Sequence, residues 1–86
     1  MATATTNPTI TAAWTKVASN PTAVTIKCNT HGPWFLAVTT ADSAPTVRGE
    51  AHEGPISWVA GAITGYVWVK TGQSDITYNF SMTLTT

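Results

Sequence analysis

Hydrophobic and polar residues alternate along several short segments of the chain. In Thr22–Asn29, every second residue from Val24 to Cys28 is apolar. In Ile76–Thr85, the apolar residues recur at alternate positions through Leu84, with Thr, Asn or Ser between them. A period of two positions is typical of a β-strand with one buried face. Both segments are therefore predicted to be strands.

Proline and glycine interrupt the chain often enough to leave no stretch typical of a full-length helix. Strands separated by such turns at intervals of roughly 8–12 residues are typical of an antiparallel sandwich or barrel. We predict an all-β fold, a small antiparallel β-sandwich or barrel of six to seven short strands. The last two predicted strands, Thr64–Lys70 and Ile76–Thr85, are separated by a polar loop and are predicted to form a hairpin. The predicted strands are Ile10–Val17, Thr22–Asn29, Trp34–Thr40, Thr46–Ala51 (a possible edge strand), Ile56–Ala60, Thr64–Lys70 and Ile76–Thr85.

The length of 86 residues corresponds to one domain, predicted over residues 10–86 after a flexible N-terminal arm of residues 1–9. Charged residues make up only 9% of the chain, and the formal net charge is zero. Four scattered cations do not predict a nucleic-acid surface, and no apolar run is long enough to span a membrane.

Met1–Ala13 lacks the pattern of a signal peptide, and Cys28 is the only cysteine, so we expect synthesis in a reducing cytoplasm.

A weakly charged surface predicts that part of it is covered by partner chains. The segment Trp34–Thr40 is apolar on both faces, and a small domain can cover only one face of a sheet with its own residues. We therefore predict a homo-oligomer, most simply a trimer. The aromatic candidates for its interface are Trp34, Phe35, Trp58, Tyr66 and Trp68.

Neither a catalytic nor a metal site is predicted. Cys28 and His31 are three positions apart, but Cys28 alternates in phase with apolar residues and is expected to be an inert core thiol. Glu50, His52 and Glu53 could ligate a metal together with His31, but their spacing matches no standard motif. We interpret them as a solvated polar loop, and no cofactor is expected.

Four tryptophans are many for a chain of this length. Trp34 and Trp68, in the strongest strands, are predicted to be the core pair, whereas Trp58 is predicted to be the exposed one. An exposed aromatic ring can stack on a sugar. The alternative hypothesis is therefore a carbohydrate- or receptor-binding module that uses Trp58 with His52 and Glu53.

Three segments, "ITAAWTKVAS", "WFLAVTTADSAPTVRGEAH" and "TGYVWVKTG", resemble small β-rich virion proteins of bacteriophages. The shared features are a Trp near the N-terminus, an "SAPT" loop and a "G-x-V-[WY]-V-[KR]" strand. The resemblance covers most of residues 10–72, and Ser74–Thr86 is not matched. It implies a non-enzymatic structural role in the virion, as a capsid decoration, head-fibre or tail-appendage subunit. Such proteins are commonly homotrimers that contact capsid or tail proteins, and the resemblance implies no catalytic residues.

Overall fold

The computed structural model describes residues 3–29, 33–53, 57–72 and 78–85, with Tyr78 described by its backbone alone. Nine β-strands contain most of these residues, and none of the described residues is helical. In chain order the strands are β1 (Thr3–Thr6), β2 (Thr9–Ile10), β3 (Thr15–Ser19), β4 (Ala23–Cys28), β5 (Pro33–Thr39), β6 (Glu50–Glu53), β7 (Ser57–Ala60), β8 (Tyr66–Thr71) and β9 (Tyr78–Thr85).

The strands form two antiparallel sheets that pack as a small β-sandwich. In sheet 1 the strand order is β1–β9–β4–β7, and β2 also pairs with β9. In sheet 2 the order is β3–β8–β5–β6. The prediction of an all-β antiparallel fold is confirmed.

The core lies between the two sheets. The ring of Trp34 on β5 meets the ring of Phe80 on β9 edge to face, with centroids 5.2 Å apart. The alternation predicted for β4 and β9 is confirmed for the described side chains, whereas Ile76 and the side chain of Tyr78 lie outside the described residues. The buried cluster consists of Ile10, Ala18, Val24, Ile26, Cys28, Trp34, Leu36, Val67, Val69, Phe80 and Met82.

The predicted first strand, Ile10–Val17, is divided between the two sheets. Ile10 ends β2 and pairs with Tyr78 of β9 in sheet 1. After residues 11–14 the chain continues as β3, which pairs with β8 in sheet 2. The prediction of one continuous strand was wrong. Both halves contain strand-forming residues, but the crossing from one sheet to the other depends on partner strands that are distant in sequence.

The predicted hairpin of the last two strands is also wrong. Strand β8 lies between β3 and β5 in sheet 2, and β9 lies between β1 and β4 in sheet 1. The two strands therefore belong to different sheets and do not pair with each other. A polar loop between two alternating segments is compatible with either arrangement, so the sequence pattern alone does not distinguish them.

The strand predicted at Thr46–Ala51 begins later, as β6 at Glu50. Gly49, directly before it, has a φ of 87°, which interrupts the extended backbone. Strand β6 also includes His52 and Glu53, which were predicted to form a turn.

The segment predicted as an N-terminal arm pairs with the domain's own sheet. Thr3 to Thr6 form β1, whose register with β9 runs from Thr3 opposite Thr85 to Thr6 opposite Met82. All four β1 side chains are exposed, so this strand is held mainly by its hydrogen bonds to β9.

Across the described part of the chain, there is no helix of the length and apolarity needed to cross a membrane.

Candidate functional site

The five aromatic residues predicted at a subunit interface occupy different environments. Trp34 is fully buried between the sheets, and Trp68, on the outward face of sheet 2, is only 8% exposed. Both are buried, but they lie on opposite faces of one sheet, so only Trp34 belongs to the core between the sheets and the predicted core pair is wrong for Trp68. Phe35, Trp58 and Tyr66 are half-buried and retain some surface for a partner.

Trp58 differs from the predicted exposed platform. It pairs with Ile26 of β4 and packs against the core cluster. Its neighbour Val59 points outward instead and is 69% exposed. A strand of four residues has too few positions for its inward face to be assigned from sequence.

His52 lies on β6 and not in a solvated loop. Its ring stacks on Trp34, with centroids 4.5 Å apart and an interplanar angle of 25°. Its Nε2 atom lies 3.0 Å from Glu50 Oε1, but the two groups are not aligned as a hydrogen bond, and Nε2 has no such partner. Glu50 is largely exposed, so this contact contributes little to stability.

These positions do not assemble the metal or sugar site considered from sequence. Among the described residues, no three His, Cys, Asp or Glu side chains are grouped closely enough to hold a metal ion. His31 lies outside the described residues. The ring of His52 is stacked on Trp34, and Trp58 faces the core from the other sheet, so the two do not form one exposed platform with Glu53.

The outward face of sheet 2 is apolar, as predicted, but the chain covers much of it by itself. Ala37 is 7% exposed, and the indole Nε1 of Trp68 donates a hydrogen bond of 2.9 Å to Thr39 Oγ1. Trp14 reaches this face beside Gly49, where a β-carbon would lie 2.8 Å from the Trp14 ring. Chain segments outside the strands therefore cover part of this face, and coverage of the remainder by a partner stays a prediction.

Three of the four cations of the chain lie on this same face of sheet 2. Lys16 Nζ lies 5.3 Å from the Tyr66 ring centroid, and it also pairs with Asp42 Oδ1 at 2.7 Å. Lys70 lies over the rings of Trp14 and Phe35, and Arg48 lies over the ring of Phe35. Positions 16, 48 and 70 are far apart in sequence, so the sequence alone does not predict that these cations share a face. Lys70 alternates in phase with Tyr66, which could have indicated a shared face.

The outward face of sheet 1 is polar and hydrogen-bonded across its strands. Thr3 Oγ1 lies 3.0 Å from Thr85 Oγ1, and Thr5 Oγ1 lies at the same distance from Thr83 Oγ1. Such cross-strand threonine pairs stabilise neighbouring strands. Lys27 is the one cation on this face within the described residues.

A shallow cleft of about 390 Å³ lies between the end of β5 and the following loop. Val38 and Val47, both exposed, are the largest apolar residues in its lining. The remaining lining residues are Thr, Ala, Ser and Pro, so the cleft offers hydroxyl and apolar contacts but no acid or base.

The thiol of Cys28 is fully buried, as the phase of β4 predicts. We therefore expect a thiol reagent to label the folded protein at least ~10³-fold more slowly than the protein in denaturant, since labelling requires unfolding. Labelling followed by mass spectrometry measures both rates, and a Val47→Cys variant lacking Cys28 supplies the exposed control. Equal rates for Cys28 in folded and denatured protein would contradict the inward phase.

Comparison with protein-family models, curated proteins and solved structures finds no match for this chain.

Proposed function

We propose that this protein is a non-enzymatic structural subunit of a bacteriophage particle, a capsid decoration, head-fibre or tail-appendage protein that acts by self-association. Two observations support the proposal: the sequence resemblance, which covers most of residues 10–72, supports the virion role, and the exposed edge strand β7 supports the self-association. The edge strand carries the self-association, because an edge with unpaired backbone groups and no charge is a ready site for another strand.

The edges of the two sheets differ in how they resist strand addition. In sheet 2, β3 contains a bulge between Lys16 and Ala18, and β6 carries Glu50 and Glu53. Charges and bulges are the usual features that prevent edge-to-edge pairing. In sheet 1, β7 (Ser57–Ala60) and β1 (Thr3–Thr6) contain neither charge nor bulge.

Pairing β7 of one copy with β1 of the next would use both of these edges. Such a head-to-tail contact joins two different surfaces, and it produces a closed ring when the rotation between copies closes. A closed ring of any number of copies would satisfy every β7 and β1 edge, and a ring of three is the form that the predicted trimer would take. On the outward face, Val59 lies in the cross-strand row of Thr25 and Thr83, so a side chain of the added strand would lie beside it.

Light scattering during size-exclusion chromatography tests the self-association. We expect a mass near three times the 9.1 kDa of the chain, unchanged at 1 M salt because the contact uses no ion pairs. Val59→Lys places a charge on the β7 edge and is expected to produce monomers. Val47→Lys is the matched control, because Val47 is similarly exposed (64%) but lies in a loop away from β7.

A monomeric wild-type protein at micromolar concentration would contradict the oligomer, and equal effects of the two lysine variants would contradict the assignment to β7. The location is tested separately. Mass spectrometry of gradient-purified particles from a phage that encodes this chain should detect the protein as a stoichiometric component, and its absence would overturn the virion role.

A further inference from the structure

Lys70 and Arg48 form a cationic cluster with two aromatic rings on the outward face of sheet 2. Lys70 Nζ lies 4.9 Å from the Trp14 ring centroid and 5.5 Å from that of Phe35. Arg48 Cζ lies 5.6 Å from the same Phe35 ring. We name these four residues the Lys70–Arg48 cluster.

The positive charge of this cluster is not neutralised within the described structure. Asp42 pairs with Lys16, and no described carboxylate lies within ion-pair distance of Lys70 or Arg48. The chain as a whole has no net charge. The cluster is therefore a local positive patch on a chain whose total charge is zero.

The rings also restrict the positions of the two cations. A free lysine or arginine side chain loses up to about 2 kcal/mol of conformational entropy when it is fixed by a ligand. Contact with Trp14 and Phe35 fixes part of that freedom in advance, which lowers the cost of binding an anion. Strand pairing adds to this restriction, since Phe35 and Lys70 lie directly opposite each other on β5 and β8.

The composition of the cluster favours a ligand of low charge density. Two unpaired cations neutralise too few phosphates to hold a nucleic acid, whose affinity at physiological salt depends on many such contacts. A polysaccharide with carboxylates separated by neutral sugars presents fewer charges, and the apolar C–H faces of its sugars can pack on half-buried aromatic rings. Trp14 and Phe35 are both half-buried.

We propose that the Lys70–Arg48 cluster binds an anionic polysaccharide, with its carboxylates contacting the two cations and its sugars lying against the parts of Trp14 and Phe35 that the cations leave exposed. This site is distinct from Trp58, His52 and Glu53, and it lies on the sheet opposite the β7 and β1 edges used for self-association. It does not depend on the proposed oligomer.

Hyaluronate oligosaccharides, which carry a carboxylate on every second sugar, are the probe. We expect titration to shift the backbone amide resonances around Phe35 and Lys70 in NMR spectra. Lys70→Gln and Arg48→Gln should each weaken binding by about tenfold, and Lys70→Arg should retain most of it. Lys27→Gln is the matched control, because it removes the same charge from the outward face of sheet 1 and should leave affinity within about twofold.

Four results would overturn the proposal. The first is the absence of oligosaccharide binding, and the second is a loss of affinity in Lys27→Gln as large as that in Lys70→Gln, which would mean an unspecific charge effect. The third is equal binding of neutral dextran oligomers, which would remove the role of the cations. The fourth is tighter binding of a thymidine oligonucleotide than of the oligosaccharide at the same salt, which would assign the face to nucleic acid. The Val59→Lys variant should bind like wild type, so this test can fail or succeed independently of self-association.

Discussion

Trp34→Ala is expected to lower the free energy of unfolding by about 4 kcal/mol, the largest effect of any single truncation in this core. Trp34 is fully buried, stacks on His52 and meets Phe80 across the sheets, so its removal leaves a cavity that contacts both layers. Urea unfolding monitored by circular dichroism measures the loss. A domain of this size has limited total stability, so the variant is expected to be partly or wholly unfolded at 25 °C.

A second variant keeps this prediction testable if Trp34→Ala does not fold. The indole Nε1 of Trp34 is buried and has no hydrogen-bond partner among the described residues. Trp34→Phe removes this unsatisfied donor together with part of the ring, and the two effects oppose each other. We expect a loss of less than about 2 kcal/mol, and a loss as large as that of the alanine variant would contradict the assignment of an unsatisfied indole.

Gly65→Ala is expected to destabilise the protein by about 2–4 kcal/mol, because this position combines a glycine-specific backbone with close packing. Gly65 is buried, its φ is 139°, and a β-carbon there would collide with the carbonyl oxygen of Thr39. The backbone cannot easily move away, since Gly65 and Asn20 are joined by two hydrogen bonds. Gly65 N–H donates to Asn20 Oδ1 at 2.8 Å, and Asn20 N–H donates to the Gly65 carbonyl at 2.7 Å.

Gly61→Ala is the control for this substitution. Gly61 is exposed, and a β-carbon there would have no atom within 4 Å. The unfolding free energy of the Gly61→Ala variant is expected to remain within about 0.5 kcal/mol of that of the wild type. Thermal and urea denaturation of the two variants side by side separates the local collision from the general effect of adding a methyl group. Equal stability of the Gly65→Ala and Gly61→Ala variants would contradict the predicted collision at Gly65.

The sequence predicts the faces of individual strands well and their partners poorly. The inward positions of β4, from Val24 to Cys28, follow from alternation between adjacent residues, which is a local property. The division of Ile10–Val17 between two sheets, and the separation of β8 from β9, depend on pairing with strands far away in sequence. Local residue preference carries no information about those partners.

The candidate sites likewise depend on contacts between residues that are far apart in sequence, which local patterns do not predict. Trp14, Arg48 and Lys70 meet because a crossing segment, a loop and a strand converge on one face of sheet 2. Only Lys70 lies in an alternating segment that could have been assigned a face. The exposure of Val59 similarly depends on β7 being the last strand of sheet 1, which requires the full strand order.

The place of β9 in sheet 1 has a consequence for folding during synthesis. This strand follows all the other described strands in sequence, yet it is the neighbour of β1, β2 and β4. During synthesis, all strands of sheet 2 therefore leave the ribosome before β9, the central strand of sheet 1. Until β9 emerges, β4 lacks this neighbour, so Val24, Ile26 and Cys28 do not yet lie in a complete sheet. Acquisition of the native core is consequently expected as a late, cooperative event, with the nascent chain open to chaperones until then.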